Sequence, residues 1–262
     1  MAKTALITGA SSGLGAEFAR QLASKGADVV LVARDRAALD AVAERLRAEF
    51  GVATEVLVAD LTTDEGTDAA ASRLSDPTRP VEVLVNNAGI GLDLDFAKND
   101  ISVEERHLDL HVRATMRLTH AALQPMLARG HGRIITVASV AAFLPRGTYG
   151  AVKAWIVSFS RWANAVYRPR GVSVTAVCPG FVHTNFHERL GLPPGQEGIP
   201  SFMWLDAPDV VREGLRAAAR GTAVSIPSLR YRAIVAVVRM LPAPLAARLT
   251  HGERIRTDNL DA

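Results

Sequence analysis

One cysteine, Cys178, stands among 262 residues. A lone thiol closes no disulfide within the chain, and no Cys/His set with metal-ligand spacing accompanies it, so neither a disulfide framework nor a metal is expected. So few thiols suit a reducing compartment, and a cytoplasmic location is the expectation. Cys178 lies in the apolar run 172–178 and reads as a small buried hydrophobe. Aromatic residues make up only 5% of the chain, and no basic stripe interleaves them, which argues against nucleic acid as a partner. The net charge is only +3, with no run of five like charges, as on an ordinary solvated surface. No stretch of about 18 apolar residues exists, so nothing is expected to span a membrane. The short apolar run 4–7 leads straight into a glycine turn and does not read as a signal peptide. No Pro/Gly/Ser linker and no fixed-period repeat divides the sequence, so residues 1–262 read as one domain.

What is present is apolar material, 48% of the chain, enough for a sizeable core. It comes in short continuous runs at 4–8, 28–33, 54–58, 81–85, 133–138, 173–178 and 224–227. Unbroken apolar runs are expected of strands covered on both faces. Between them lie amphipathic stretches. Leu14, Phe18 and Leu22 recur every four residues, and 37–50 is rich in Ala, Leu, Glu and Arg, which favour helix. Strand and helix in alternation predict an α/β fold, a parallel sheet with right-handed crossovers and helices on both faces. The helix predicted at 148–167 has two apolar stripes: Val152, Ile156, Phe159 and Ala163, then Trp155, Trp162 and Val166. One stripe faces the sheet. The other needs a subunit interface or the chain's own C-terminal tail to cover it.

The first run ends in Thr8-Gly9-Ala10-Ser11-Ser12-Gly13-Leu14-Gly15 and passes directly into a helix. Glycines let the backbone turn tightly and approach a ligand, and a helix N-terminus offers N–H groups to a pyrophosphate. This suggests a dinucleotide. The second run ends Val32-Ala33-Arg34-Asp35, where the group that reads the adenosine ribose is expected. Arg34 would pair with a 2′-phosphate and favour NADP(H) over NAD(H), whereas a strand ending one residue later would present Asp35. Asp60, with Leu61 beside it, and Asn86-Asn87-Ala88-Gly89 follow two further strands and trace the carboxyl edge of the sheet, where ligands bind in such folds.

Ser139 follows the fifth run. Tyr149 and Lys153, four apart on the next helix, share one face. A free phenol, with a pKa of about 10, is a poor acid–base catalyst at neutral pH, but an ammonium and an oxidised nicotinamide beside it favour the phenolate. Pro179-Gly180-Phe181-Val182-His183-Thr184 turns the chain over the crevice, with Val182 and Thr184 as further coenzyme contacts. Residues 181–207, with Phe181, Phe186, Phe202, Met203 and Trp204, read as a lid for a hydrophobic substrate. In the C-terminal tail, 228–262, the residues Tyr231, Ile234, Val235, Val238, Leu241 and Leu245 make an apolar face beside arginines. That face would lie on a membrane surface, on a neighbouring subunit or on the chain's own lid.

Taken together, Thr8-Gly9-x3-Gly13-x-Gly15, Asp60, Asn86-Asn87-Ala88-Gly89, Ser139, Tyr149-x3-Lys153 and Pro179-Gly180 with Thr184 resemble the short-chain dehydrogenase/reductase family, in the family's order, over residues 4 to about 184. The resemblance implies a Rossmann-like, doubly wound, seven-stranded parallel sheet, an NAD(P) coenzyme and a Ser139–Tyr149–Lys153 catalytic set. It implies that Lys153 also holds the nicotinamide ribose, and that homodimers or homotetramers form on helix pairs. The sequence departs from the family in two places. His111 stands where the family often has an asparagine whose carbonyl, at a helix kink, holds a relay water; a histidine there would present its carbonyl, relay protons itself or merely pack. Ser139 and Tyr149 are about three residues closer than usual, which shortens the loop beside the substrate. The expected activity is NADPH-dependent reduction of a ketone or aldehyde with Tyr149 as general acid/base. An NAD-dependent alcohol dehydrogenase and a dinucleotide-binding sensor or scaffold without turnover are the alternatives.

Overall fold

β-Branched residues dominate the apolar runs, and such residues fit a pleated, buried surface. In the computed structural model, which describes residues 3–92, 95–184 and 199–242, they form seven strands: β1 (Thr4–Thr8), β2 (Asp28–Ala33), β3 (Thr54–Val58), β4 (Val83–Asn86), β5 (Gly132–Val137), β6 (Val172–Val177) and β7 (Val224–Ser225). All pair in parallel, in the order β3-β2-β1-β4-β5-β6-β7. β7 is shorter than its apolar run because Pro227, lacking an N–H, cannot extend a ladder. The side chains of each strand alternate between two cores. Ile7, Leu31, Val85 and Val177 pack with α1 (Gly13–Ala23), α2 (Arg36–Phe50) and α7 (Ala207–Ala219). Leu6, Val30, Leu84, Ile134 and Val174 pack with α3 (Asp64–Ser75), α5 (Thr115–Arg129) and α6 (Gly147–Tyr167). The sheet is therefore doubly wound.

β1 lies between β2 and β4, so the crossovers leave it in opposite directions and a crevice opens at its carboxyl end. In such sheets this is where ligands bind. α4 (Ile101–Leu108) runs into α5 through a π-helical turn, Asp109–Ala114. Such turns displace side chains from the regular helical register and often mark functional positions; His111 sits within this one. On α6, Val152, Ile156 and Ala163 of the predicted stripe are buried against the sheet, but Phe159 of that stripe is only half-buried, and Trp162 is 53% exposed. Trp155, Phe159, Trp162 and Tyr167 form a ladder of ring contacts along the outer side. α8 (Leu229–Met240) does not cover that ladder. It lies instead over the short 3-10 turn Val140–Phe143 near the crevice. No described helix is long and apolar enough to cross a membrane.

Candidate active site

The β1–α1 turn is a cradle. Gly13 has φ +55, a conformation that side chains strain to adopt. A Cβ on Gly15 would stand 2.1 Å from the Gly9 carbonyl oxygen and 2.5 Å from Asn87 Nδ2. Asn87 ties the two strand ends together: its Nδ2 donates to the carbonyls of Thr8 (2.9 Å) and Gly9 (3.2 Å). Thr8 Oγ1 in turn accepts from the N–H groups of Asn87 and Ala88. The result is a close-packed floor with the first turn of α1 facing the crevice, which fits a pyrophosphate. Gly9, Ser11, Ser12, Gly13 and Leu14 line this end of a cavity of about 390 Å³, together with Asn87, Ala88, Gly89, Pro179, Gly180, Val182 and Thr184. Gly15 lies beneath the floor. Thr184 faces Gly13, with its Cβ 3.4 Å from where a Gly13 Cβ would stand.

Farther along the carboxyl edge, β2 ends at Ala33 and Asp35 caps α2, accepting from the Ala38 N–H at 3.0 Å. Arg34, between the strand end and this cap, has its guanidinium 3.9 Å from Asp60 Oδ2. Asp60 Oδ1 is occupied by Thr62 N and Oγ1. Burial pushes the Asp60 carboxyl up, but the Thr62 hydrogen bonds and Arg34 outweigh it and hold the group below its ordinary value. Leu61, expected beside the coenzyme, turns its side chain into the core, so only its backbone is available to a ligand.

At the other end of the cradle the polar residues converge. Ser139 follows β5 and caps the 3-10 turn, and its Oγ accepts from Ala141 N at 3.1 Å. That compact turn keeps Ser139 close enough to Tyr149 to influence its phenol despite the short loop. Burial raises the phenol's pKa, offset in part by Ser139 and the Arg146 charge. Lys153 is buried, and its Nζ donates to the Val137 carbonyl (3.0 Å) and reaches His111 Nδ1 (3.2 Å). When Lys153 is charged it only donates and Nδ1 accepts; Nε2 lies 2.9 Å from the Ile90 carbonyl and 3.2 Å from the Ile90 N–H, so its role follows the tautomer. The histidine therefore meets Lys153 with its side chain and does not merely pack. Gly89 makes room for it: a Cβ there would stand 2.7 Å from His111 Cε1.

His107, one helical turn earlier, is a site neighbour that the sequence reading did not single out. It is fully buried, its ring centroid lies 4.5 Å from that of His111 and 6.0 Å from that of Tyr149, and neither ring nitrogen has a hydrogen-bond partner among the described residues. Burial and the Lys153 charge hold it neutral, at about 4. The i, i+4 spacing of two histidines was the available signal, but periodicity alone does not say that both face the site. Cys178, buried behind Lys153, has its thiol pushed up to about 12 by burial and is inert at neutral pH.

Burial also holds Lys153 down to about 7. The unfolded chain keeps this proton to about pH 10.5, so between these values the unfolded state binds more protons and stability rises with pH. Lys153→Met removes that dependence. In urea unfolding without coenzyme, the variant is expected to gain on the wild type at pH 7 relative to pH 10. A stability difference that is the same at both pH values would refute it.

The outer half of the cavity is apolar. Leu92, Val140, Phe143, Leu144, Ile199 and Met203 line it, and α8 adds Tyr231, Ile234, Val235 and Val238. The apolar face of the tail is therefore turned inward onto the site. Leu229, Val237 and Met240 point outward and Ile234 is part exposed, so most of the predicted face packs on the cavity and is not offered to a membrane surface. Residues 243–262, with Leu245, lie outside the described residues, as do 185–198 with Phe186. Of the remaining lid aromatics, Phe181 lines the cavity, Trp204 stacks on His183, and Phe202 is 62% exposed.

The sheet order and the glycine floor at its switch point define a dinucleotide-binding α/β protein. Comparison with known proteins narrows this. The sequence profile of the short chain dehydrogenases matches residues 3–193, and the chain belongs to the short-chain dehydrogenase/reductase family. It is an NAD(P)-dependent oxidoreductase of C=O or CH–OH groups. It is 34% identical to a 3-oxoacyl-[acyl-carrier-protein] reductase of Synechocystis, over 76% of this chain and 82% of that protein. Among solved structures, a Sphingobium yanoikuyae short-chain dehydrogenase in complex with NADPH superposes with TM-score 0.82 at 36% identity, covering 90% of this chain and 93% of the other. A bulky-bulky ketone specific alcohol dehydrogenase from Comamonas testosteroni gives TM-score 0.78 at 32% identity, covering 96% and 94%.

Proposed function

We propose that the protein is an NADPH-dependent reductase of bulky apolar ketones or aldehydes, with Tyr149 as the proton donor. The observation that carries this reading is the position of Ser139, Tyr149 and Lys153 in one cavity, at the junction of the glycine cradle and an apolar chamber. When bound, the nicotinamide supplies the hydride. Ser139 Oγ accepts from Ala141 N, which leaves its own proton to hold the carbonyl oxygen. Tyr149 protonates that oxygen as charge develops on it. The phenol is protonated at neutral pH, as a donor must be, but burial raises its pKa and weakens it as an acid, so a positive charge beside it is needed for proton transfer. The Lys153 ammonium supports the phenolate that results. His111 orients Lys153 and offers it a proton acceptor. The apolar lining agrees with the bulky ketones of the Comamonas enzyme, and the NADPH bound by the Sphingobium enzyme supports the coenzyme.

The test is a panel of carbonyl compounds of increasing bulk, with NADPH and with NADH. Turnover that rises with bulk is expected. Tight NADPH binding with no oxidation by any compound would overturn the reading in favour of a sensor. Arg34 carries the coenzyme preference, since its guanidinium suits a 2′-phosphate and Asp35 is occupied by its cap. Arg34→Ala is expected to weaken NADPH about tenfold, as for loss of a charge-assisted bond, and to leave NADH nearly unchanged. Equal losses for both coenzymes would remove Arg34 from this role.

A second copy of the chain is the proposed cover for the aromatic ladder on α6. Trp162→Glu places a charge there, and light scattering is expected to show a smaller particle than the wild type. An unchanged mass would exclude this face.

A further inference from the structure

We propose that Tyr231 is a positioning residue that sets how tightly a bulky carbonyl is held, by coupling the turn after β6 to the wall of the substrate chamber. The proposal rests on the reductase reading and extends it to a residue outside the Ser139–Tyr149–Lys153 cluster. Tyr231 is 2% exposed. Its hydroxyl accepts from the Phe181 N–H at 3.1 Å and donates to the Met203 carbonyl at 2.7 Å. One phenol therefore joins the segment that follows Gly180 to the 3-10 turn Ser201–Met203. Arg230, its neighbour on α8, donates to the Phe202 carbonyl, so the start of the helix grips two successive carbonyls of that turn.

The two segments are also joined directly. Leu205 N donates to Phe181 O (2.9 Å), and His183 N donates to Leu205 O (3.0 Å). The Tyr231 ring fills the space beside the turn as well: a Cβ on Gly180 would stand 1.9 Å from its Cζ. Only glycine fits against the ring, so the phenol dictates how the Pro179–Gly180 turn passes over the cavity. Ile234, Val235 and Val238 follow at i+3, i+4 and i+7 on the same helix face, and all three line the chamber. Where Tyr231 holds the start of α8, it also places these three side chains.

Tyr231→Phe removes the hydroxyl and keeps the ring, so the packing against Gly180 survives. Phe181 N and Met203 O lose their shared partner, and the chamber wall loses its tie to the turn. With the best bulky substrate, KM is expected to rise about tenfold, the scale of one or two lost hydrogen bonds, while kcat stays within about twofold because the proton donor is untouched. A merely structural role gives the opposite split, a smaller active fraction and lower apparent kcat at unchanged KM. Chymotrypsin cleavage at residues 202–204, measured on the full chain with NADPH present, is a readout that needs no turnover; it is expected to be several-fold faster in the variant. If the wild type reduces no carbonyl, the reductase reading fails and the cleavage rates still judge the strut. An unchanged KM in an active variant, or unchanged cleavage where neither protein turns over, overturns the proposal.

Discussion

Tyr149→Phe is expected to lower kcat for carbonyl reduction about a thousandfold while leaving NADPH binding intact. The size follows from what one positioned general acid contributes, about 10² to 10⁴ in rate. The substitution keeps the ring, and with it the contacts to His107 and His111, so the cavity does not collapse. Ser139 remains to hold the carbonyl oxygen but is a far weaker acid than a phenol. Lys153, with a pKa held near 7, is acidic enough to donate but is tied to Val137 and His111 on the inner side of Tyr149. Single-turnover NADPH oxidation, with coenzyme affinity measured separately by fluorescence, checks both halves. A variant within tenfold of the wild type in kcat would show that another group delivers the proton.

Gly15→Ala is expected to cost about 3 kcal/mol of stability, at the upper end of overpacking, and to abolish coenzyme binding at ordinary concentrations. The added methyl would stand 2.1 Å from the Gly9 carbonyl oxygen and 2.5 Å from Asn87 Nδ2. Neither can yield. The Gly9 carbonyl is backbone, and Asn87 is held by Thr8 and Gly9 at the junction of β1 and β4. The helix must therefore move away from the strand, and the N–H groups at its start no longer converge on a pyrophosphate. Thermal unfolding should show a Tm lower by about 6–12 °C, from the usual 2–4 °C per kcal/mol at this size. An alanine variant with wild-type Tm and NADPH affinity would mean that the floor is looser than these contacts require.

The strands and the helices α1, α2 and α6 were legible in the sequence because each is written in a short window: continuous apolar runs for strands, a four-residue recurrence for α1. The boundaries moved by a residue or two where tertiary partners decided them, as at β7, where pairing stops two residues before Pro227. The glycine turn, Tyr149 and Lys153 were legible for the same reason, since their spacing is local. The choice between Arg34 and Asp35 was not. That Asp35 caps α2 was not legible either, because it needs the geometry of the helix start, and the coenzyme preference rests on the measurement proposed for Arg34.

Three tyrosines occur in the chain, and the sequence could mark only Tyr149 as reactive. Tyr231 read as one more residue of an apolar face, because what its hydroxyl meets lies 28 and 50 residues away. His111 is 42 residues from Lys153, and its imidazole reaches the lysine only because the π-helical turn and Gly89 admit it. By itself the sequence determined the α/β order, the glycine turn after β1 and the shared helix face of Tyr149 and Lys153, since backbone conformation and side-chain periodicity are short-range properties. Only the tertiary structure decided that the C-terminal helix closes the substrate chamber and that two buried histidines stand behind Tyr149. Those placements come from packing between distant elements, where burial and close contact, not local propensity, select the arrangement.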